Sequence, residues 1–335
     1  MNLPPAARVL LLPASWLYAT GAALRARLYA SGVFKRQRLK GAVISVGNLT
    51  VGGTGKTPMV IWLAQNFLSQ GRRVAILTRG YRGSHGTSDE IELMKHRLQN
   101  RVAFGIGKNR FEQGRRLESQ SPIDVFLLDD GFQHLKLARD LDIVLLDATQ
   151  PLSVPLLPAG PMREKPSALK RAGAVVFTRA ENVPGAHHAI QKLSSRAVFS
   201  ATTKLSGFRK YGSAESQLLN LNEIQERPFF AFCGIGNPQA FCNDLKNWGL
   251  PIAGHKLFRD HHRYSAGDAA ALQRAAEKCG AAAFVTTEKD LYNLGKVILT
   301  KFPLYIAIID VAVSPEVQFL ALVNDTLKSR CEPLS

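Results

Sequence analysis

The stretch Ala42-Val43-Ile44-Ser45-Val46-Gly47-Asn48-Leu49-Thr50-Val51-Gly52-Gly53-Thr54-Gly55-Lys56-Thr57-Pro58 constrains this chain more than any other. A β-rich apolar run enters a loop carrying Gly52, Gly53 and Gly55. Lys56 and Thr57 follow, and then an apolar helical run from Met59 to Leu68. That is the order strand, phosphate-binding loop, helix. Glycines let backbone N–H groups curl around a phosphate with no side chain in the way. The helix N-terminus adds partial positive charge at the same spot. The pattern therefore assigns Gly52, Gly53, Thr54, Gly55, Lys56 and Thr57 to ATP, with Lys56 reaching the β/γ-phosphates and the Thr57 hydroxyl binding Mg²⁺. The full pattern G-x-x-x-x-G-K-[ST] calls for Gly at position 50, where this chain has Thr50, so the loop is a variant. A glycine-rich turn with a chance Gly-Lys-Thr is the bland alternative, and it leaves the correct strand and helix flanks unexplained.

A P-loop needs a second half. Val125-Phe126-Leu127-Leu128-Asp129-Asp130 is an apolar strand ending in carboxylates. Mg²⁺ takes hard oxygen ligands at such a strand's C-terminal edge. Asp129 and Asp130 join Thr57 as candidate metal residues. Adjacent positions on a strand face opposite ways, so the two aspartates are expected to have different jobs.

Net charge is +17 over 335 residues, and it is unevenly placed. The first acidic residue is Asp89, and twelve Lys or Arg residues precede it. Such a surface seeks phospholipid headgroups, nucleic acid or a phosphorylated substrate. The basic residues are not interleaved with aromatics in a base-stacking pattern, so nucleic acid is not the expected partner. Residues 1–40 read as the membrane-facing part. Val9 to Leu24 is uncharged but short of the roughly 20 residues needed to cross a bilayer, and it contains Pro13. Leu10, Leu17, Leu24 and Leu28 share a helical face with Arg25 and Arg27 at its edges, as in an amphipathic helix lying among headgroups. A helix packed on the protein's own core has the same pattern, and the residues leave both readings open. A secretory signal is disfavoured, because no small-x-small cleavage site precedes a plausible mature start. Cys233, Cys242, Cys279 and Cys331 show no C-x-x-C spacing, which argues against a zinc site or a disulfide framework.

Further along, Arg73–Thr78, Val102–Gly105, Leu141–Asp147 and Ala174–Thr178 read as strands, and Ile91–Leu98 and Asn109–Ser119 as helices. Arg79 to Glu90 is a long, polar, glycine-rich loop of the kind that carries function. Leu156 to Pro166 is stiffened by prolines and holds Arg163, suited to clamping a phosphate. Alternating strands and helices after a P-loop give a doubly wound α/β domain with its ligand at the strands' C-terminal edge. Polar residues take over around 198–212, which reads as a linker. A second α/β unit follows: strands Phe229–Cys233, Ala283–Val285 and Tyr305–Ile309, helices Gln239–Trp248 and Ala266–Lys278, and a tight turn at Gly234-Ile235-Gly236. The expected division is 1–40 for the membrane-associated helix, 41–205 for the P-loop domain and 206–330 for the smaller α/β domain.

A kinase acting on a hydroxyl needs a carboxylate or imidazole near it and cations near the γ-phosphoryl. Asp89, on the loop after a P-loop-sheet strand, is the candidate base. Asp260-His261-His262 reads either as part of that machinery or as a metal site, the latter weakened by the lack of other clustered His or Cys. His134 either orients Asp130 or sits satisfied in the core. It and Asn48 are grouped with Arg163 as candidate substrate-binding residues.

These motifs in this order resemble the tetraacyldisaccharide 4′-kinase family, the lipid A kinases. The resemblance rests on Gly47-Asn48-Leu49-Thr50 with Gly52 to Pro58, then Arg79-Gly80-Tyr81 and Asp89-Glu90. It continues through Asp129-Asp130-Gly131-Phe132-Gln133-His134, Leu157 to Pro161 with Arg163-Glu164, Asp260-His261 and Thr287-Glu288-Lys289-Asp290. It implies ATP- and Mg²⁺-dependent phosphorylation of the 4′-hydroxyl of a lipid A precursor disaccharide on the cytoplasmic face of the inner membrane. It implies two α/β lobes joined by a short strand-containing linker, with the substrate lying between them. It also implies that Asp89 is the catalytic base and His261 its partner, which a closed two-lobe structure is expected to bring together. Ser88-Asp89-Glu90-Ile91 stands where the family usually has Gly-Asp-Glu-Pro, and Arg163-Glu164-Lys165-Pro166 where it has Arg-Glu-Pro.

Overall fold

The computed structural model describes residues 4–80, 88–180, 183, 197–213, 218–224, 226–295, 297, 299 and 301–331. Most of the glycine-rich loop, residues 81–87, lies outside them.

In chain order the elements are α1 (Pro5–Ala30), β1 (Ala42–Asn48), α2 (Lys56–Ser69), β2 (Val74–Thr78), α3 (Asp89–Arg97) and β3 (Ala103–Ile106). There follow α4 (Arg110–Gln120), β4 (Val125–Asp129), β5 (Leu141–Asp147), β6 (Ala174–Thr178), β7 (Ala197–Lys210) and β8 (Phe229–Cys233). The last are α5 (Pro238–Asn247), β9 (Ile252–Leu257), α6 (Ala266–Lys278), β10 (Ala283–Thr287), α7 (Glu288–Leu294), β11 (Leu304–Ser314) and α8 (Glu316–Cys331). They form two compact units.

Unit 1 holds the P-loop. Its strands run in the order β3-β2-β4-β1-β5-β6-β7, with parallel pairing from β3 through to β7. β1, β2, β4, β5 and β6 are buried along their whole length. Continuous apolar runs such as Val125-Phe126-Leu127-Leu128 suit such strands, because a parallel sheet is covered on both faces. β1 is central, paired with β4 through Val46↔Asp129 and with β5 through Asn48↔Leu145. That register sets Asp129 level with the end of β1, where the P-loop begins. α2 buries Met59, Val60, Leu63, Ala64 and Phe67 at helical spacing. α8 belongs to this unit, its Phe319 packed against Trp62 and Phe199.

α1 packs on the rest of its unit by a narrow stripe that includes Leu11, Ser15, Ala19, Ala22 and Ala26. Among its described side chains only Ser15 and Ala19 are buried, and Leu10, Trp16 and Leu17 are 80%, 77% and 76% exposed. Val9, Leu12, Tyr18 and Leu24 are exposed as well, so apolar surface extends well beyond the leucine face. One line of contact docks it: Ser15 Oγ donates to Leu156 O at 3.0 Å and accepts from Ala159 N at 3.0 Å. The helix runs 26 residues, beyond the uncharged stretch, and Ala6–Ala30 is long and apolar enough to cross a membrane by length and composition.

Unit 2 is a smaller sheet in the order β7-β11-β10-β8-β9, with α3, α5, α6 and α7. Its core is aromatic: Phe229, Phe232, Phe284 and Tyr305 are buried, and Phe232 meets Tyr264 and Phe284 edge-on. Two points depart from the linear division. α3, inside the expected 41–205 segment, clusters with unit 2 because it packs on α7, while α8, inside 206–330, returns to unit 1. The polar stretch expected as a linker is the 14-residue strand β7. Its pairing supplies order that its mixed burial pattern concealed.

Candidate active site

In unit 1 the P-loop is a short antiparallel ladder followed by a turn. Thr50 bridges Met162, Val51 N donates to Pro161 O at 2.8 Å, and Arg163 N donates to Leu49 O at 2.7 Å. Position 50 is therefore extended and buried, a setting that a β-branched residue suits and that does not require glycine. The left-handed turn comes later. Gly55, at φ 83°, is the residue from which α2 starts, and only glycine takes that conformation without strain. Lys56 and Thr57 open the helix, so charge, hydroxyl and free helix N–H groups converge.

The ladder also delivers Arg163. Its Nη1 lies 2.7 Å from both carboxylate oxygens of Asp130, and Lys56 Nζ lies 3.6 Å from the same group. Crowding opposes ionisation of Asp130, but Lys56 and Arg163 outweigh it and hold its pKa below the ordinary value. Asp130 lies just past the end of β4 at φ 51°, so the argument from opposite strand faces does not hold for it. The two aspartates nonetheless differ in partners: Asp129 is buried and accepts from the Thr78 hydroxyl at 3.1 Å. A strand-end carboxylate and the Thr57 hydroxyl are hard oxygen donors, a set that fits Mg²⁺.

A hydrogen-bonded lattice supports these groups. Asn48 is buried and donates to Thr54 Oγ1 at 3.0 Å, tying the end of β1 to the loop. Gln133 Nε2 donates to Asn48 O and Glu164 Oε1, and its Oε1 accepts from Arg163 at 3.4 Å. Arg171 grips Glu164 at 2.8 and 3.0 Å while its guanidinium lies 4.5 Å from the Phe132 ring centre. His134 is held neutral. Burial, with Arg110, Arg139, Arg25 and Lys136 around it, brings its pKa down to about 4, and its Nε2 has no partner among the described residues. Arg110, at the start of α4, is a buried guanidinium whose Nε has no partner among the described residues. Burial lowers its pKa against the pull of Asp129 and Asp130. Gln133 and Arg171 were not expected as site residues, and Arg110 had no assigned role. Gln133 lies inside the quoted motif, and the other two gave no local signal.

Unit 2 contains both Asp89 and His261. No closure of two lobes is needed to join them, contrary to the expectation from their 172-residue separation, because α3 is part of the same unit. His261 Nδ1 lies 3.0 and 2.9 Å from the two Asp89 oxygens. Asn293 donates to Asp89 Oδ2 at 2.9 Å, and Asp89 Oδ1 accepts from the Glu90 backbone N–H. Lys289 Nζ lies 3.9 Å from Asp89, 3.3 Å from Glu90 and 3.2 Å from Asp260. Burial raises the Asp89 pKa, but the His261 hydrogen bond, the Lys289 charge and the Asn293 amide bring it below the ordinary value. The hydrogen bond to Asp89 raises the pKa of His261 against the effect of burial. His262 turns away, its Nε2 3.1 Å from Asp268 Oδ2 and its ring stacked on Phe258. No group of three His, Cys, Asp or Glu suited to a metal occurs among the described residues, so Asp260, His261 and His262 form no metal cluster there. Lys289 and Asn293 are one helical turn apart on α7, a spacing that marks one face and was legible around the Thr-Glu-Lys-Asp motif.

Comparison with known proteins identifies the family. The family model described as Tetraacyldisaccharide-1-P 4'-kinase matches residues 7–328. A tetraacyldisaccharide 4'-kinase of Geobacter metallireducens is 37% identical over 316 residues, 88% of this chain and 91% of that protein. The protein of that name from Syntrophobacter fumaroxidans is 40% identical over 283 residues, covering 78% and 74% of the two chains. The structure of an "apo" form of LpxK from Aquifex aeolicus in complex with ATP superposes with a TM-score of 0.75 at 30% identity, over 96% of this chain and 99% of that one.

Proposed function

The chain belongs to the tetraacyldisaccharide 4′-kinase family, and from that premise we propose how its residues divide the reaction. It is a kinase that uses ATP to phosphorylate the 4′-hydroxyl of the tetraacyldisaccharide 1-phosphate precursor of lipid A. The observation carrying the assignment of roles is a contrast in surroundings. Lys56 and Arg163 converge at the start of a helix, and Asp89 has a buried side-chain carboxylate bonded by an imidazole.

The P-loop backbone and Lys56 hold the β- and γ-phosphates. Arg163, released from Asp130 when a phosphate competes for it, faces the transferring group. Both cations then offset charge that grows on the phosphoryl oxygens, which is where most of the rate of phosphoryl transfer arises. Asp89 takes the proton of the 4′-hydroxyl as that oxygen attacks the γ-phosphorus and the bond to the β,γ-bridging oxygen breaks, and ADP leaves. His261 orients Asp89 and shares the incoming proton. Asp129 and Thr57 would hold Mg²⁺, which when bound neutralises charge on the β- and γ-oxygens. Asp130 serves as counter-ion to Lys56 and Arg163. Asn48 and His134 act on the loop and its surroundings rather than on the lipid.

The protein works at the cytoplasmic face of the inner membrane, held by α1. The exposed Leu10, Leu17 and Leu24 insert, while Arg25 and Arg27 meet anionic headgroups. Nucleic acid is not the partner. DNA or RNA near physiological salt should leave ATP hydrolysis unstimulated, and clear stimulation would favour a nucleic-acid ATPase instead. The main test is direct: incubate the protein with γ-labelled ATP, Mg²⁺ and tetraacyldisaccharide 1-phosphate. Label should appear in the lipid. Release of label as free phosphate alone would overturn this reading.

A further inference from the structure

We propose that Asp290 is a positioning residue that sets His261 against Asp89 through the backbone of Gly234. The proposal rests on the reading of Asp89 and His261 as the proton-handling pair. Asp290 is fully buried, and no Lys or Arg is hydrogen-bonded to it among the described residues. Its Oδ1 accepts from Gly234 N at 2.7 Å and from the Tyr264 hydroxyl at 2.7 Å, and its Oδ2 accepts from the Thr287 hydroxyl at 2.6 Å. A buried carboxylate is costly unless its oxygens are satisfied, so three short bonds to uncharged donors fix where those donors lie.

What they fix is the turn bearing His261. Gly234 O accepts from His261 N at 3.0 Å. Gly234 is also where the chain comes closest to that turn: a Cβ there would sit 3.0 Å from Arg259 O and 3.0 Å from His262 Cβ. His261 itself has φ 59°, a left-handed conformation that a residue with a side chain keeps only when its surroundings impose it. At the far end of the turn, Tyr264 gives its hydroxyl to Asp290 and its backbone N–H to Asn293 O at 3.2 Å. One short helix thus anchors the turn at both ends and, from Lys289 and Asn293, also orients Asp89. Thr287 starts that helix, its hydroxyl accepting from Asp290 N at 3.2 Å. Three residues of the Thr-Glu-Lys-Asp run, Thr287, Lys289 and Asp290, thereby hold one geometry.

The test is a double-mutant cycle on the full-length protein with labelled ATP and tetraacyldisaccharide 1-phosphate. Asp290→Ala should lower kcat by about 10-fold to 10²-fold, the scale of a misplaced catalytic group, with KM for ATP unchanged. In a His261→Ala background the same change should cost less than about 2-fold, because the group it positions is gone. Asp290→Asn keeps an oxygen for Gly234 N and Tyr264 OH and should restore kcat to within a few-fold of wild type. A second readout is the His261 imidazole, which faces Asp89, Asp260 and Lys289. Its NMR titration should move toward the ordinary histidine value in Asp290→Ala. If Asp290→Ala does not fold, Tyr264→Phe carries the same cycle with a smaller loss. Equal losses in the wild-type and His261→Ala backgrounds, or an unchanged kcat with either substitution, would overturn the proposal. A wild-type kcat in the single variant His261→Ala would bring down the Asp89–His261 reading itself, and the positioning role with it.

Discussion

Two cations, Lys56 and Arg163, share one carboxylate, Asp130, in unit 1. In unit 2 one ammonium, Lys289, serves three carboxylates, Asp89, Glu90 and Asp260. The first cluster has positive charge to spare and sits at a helix N-terminus, so it gains when a polyanion arrives. The second has negative charge to spare and an imidazole against its most buried member, so it gains when a proton arrives. In the proposed division of roles, a nucleotide delivers the one and an alcohol losing its proton delivers the other. The support differs too. Unit 1 positions its charges largely with backbone, through the Leu49–Arg163 ladder and the Gly55 turn. Unit 2 uses side chains from α3, α7 and the His261 turn, gathered from distant parts of the sequence.

Breaking the first cluster should have the largest effect. Lys56→Ala is expected to abolish ATP-dependent turnover, since it removes a charge the transferring phosphoryl needs. Turnover within a factor of a few of wild type would remove the P-loop from the mechanism. Next comes Asp89→Asn, expected to lower kcat by roughly 10²–10⁴-fold, the usual range for a general base, with ATP affinity nearly unchanged. A large loss of ATP affinity instead would show that the two clusters do not divide the work as their charges suggest.

The pH dependence sharpens the contrast. His261 has its pKa raised above the ordinary 6.5 by its hydrogen bond to Asp89. Below that raised value the imidazole is already protonated and cannot share an incoming proton, so kcat should rise with pH through a midpoint above about 6.5. The contribution to stability runs the other way. The pairing stabilises the fold fully below about 6.5 and is lost as pH rises through the raised value. For Asp89, with its pKa lowered from 3.8, stabilisation is present above that value and is lost as pH falls through the lowered one. Asp89→Asn should move the acid limb of any residual activity downward. A limb that stays in place belongs to another group.

The smallest change in stability should come from α1. Replacing Leu10, Leu17 and Leu24 by serine should shift Tm by little, because these side chains are 80%, 76% and 58% exposed. The same triple variant should lose binding to vesicles containing anionic lipid and raise KM for the lipid substrate. Unchanged vesicle binding would take the membrane role away from this helix.

Local features were legible in the sequence. The P-loop with its strand and helix, the apolar strand ending in Asp129, and the strands Leu141–Asp147, Ala174–Thr178 and Phe229–Cys233 follow from neighbours along the chain. Periodicity, glycine and charge act there over a few residues. The pairing of Asp89 with His261 was reached through the resemblance of motifs, and periodicity had no means of supplying it. Tertiary structure decided what depends on distant partners. It placed α3 in unit 2, beside α7, so that Asp89 and His261 meet within one compact body. It made a paired strand of the polar stretch Ala197–Lys210, whose ladder partners lie elsewhere in the sequence. It explained Thr50, whose extended conformation is imposed by Met162 rather than by its own neighbours. The sequence by itself determined which groups carry charge and which segments turn. Only the fold decided which of those groups share a neighbourhood, because a hydrogen bond or ion pair depends on a few ångströms of space and not on the number of residues in between.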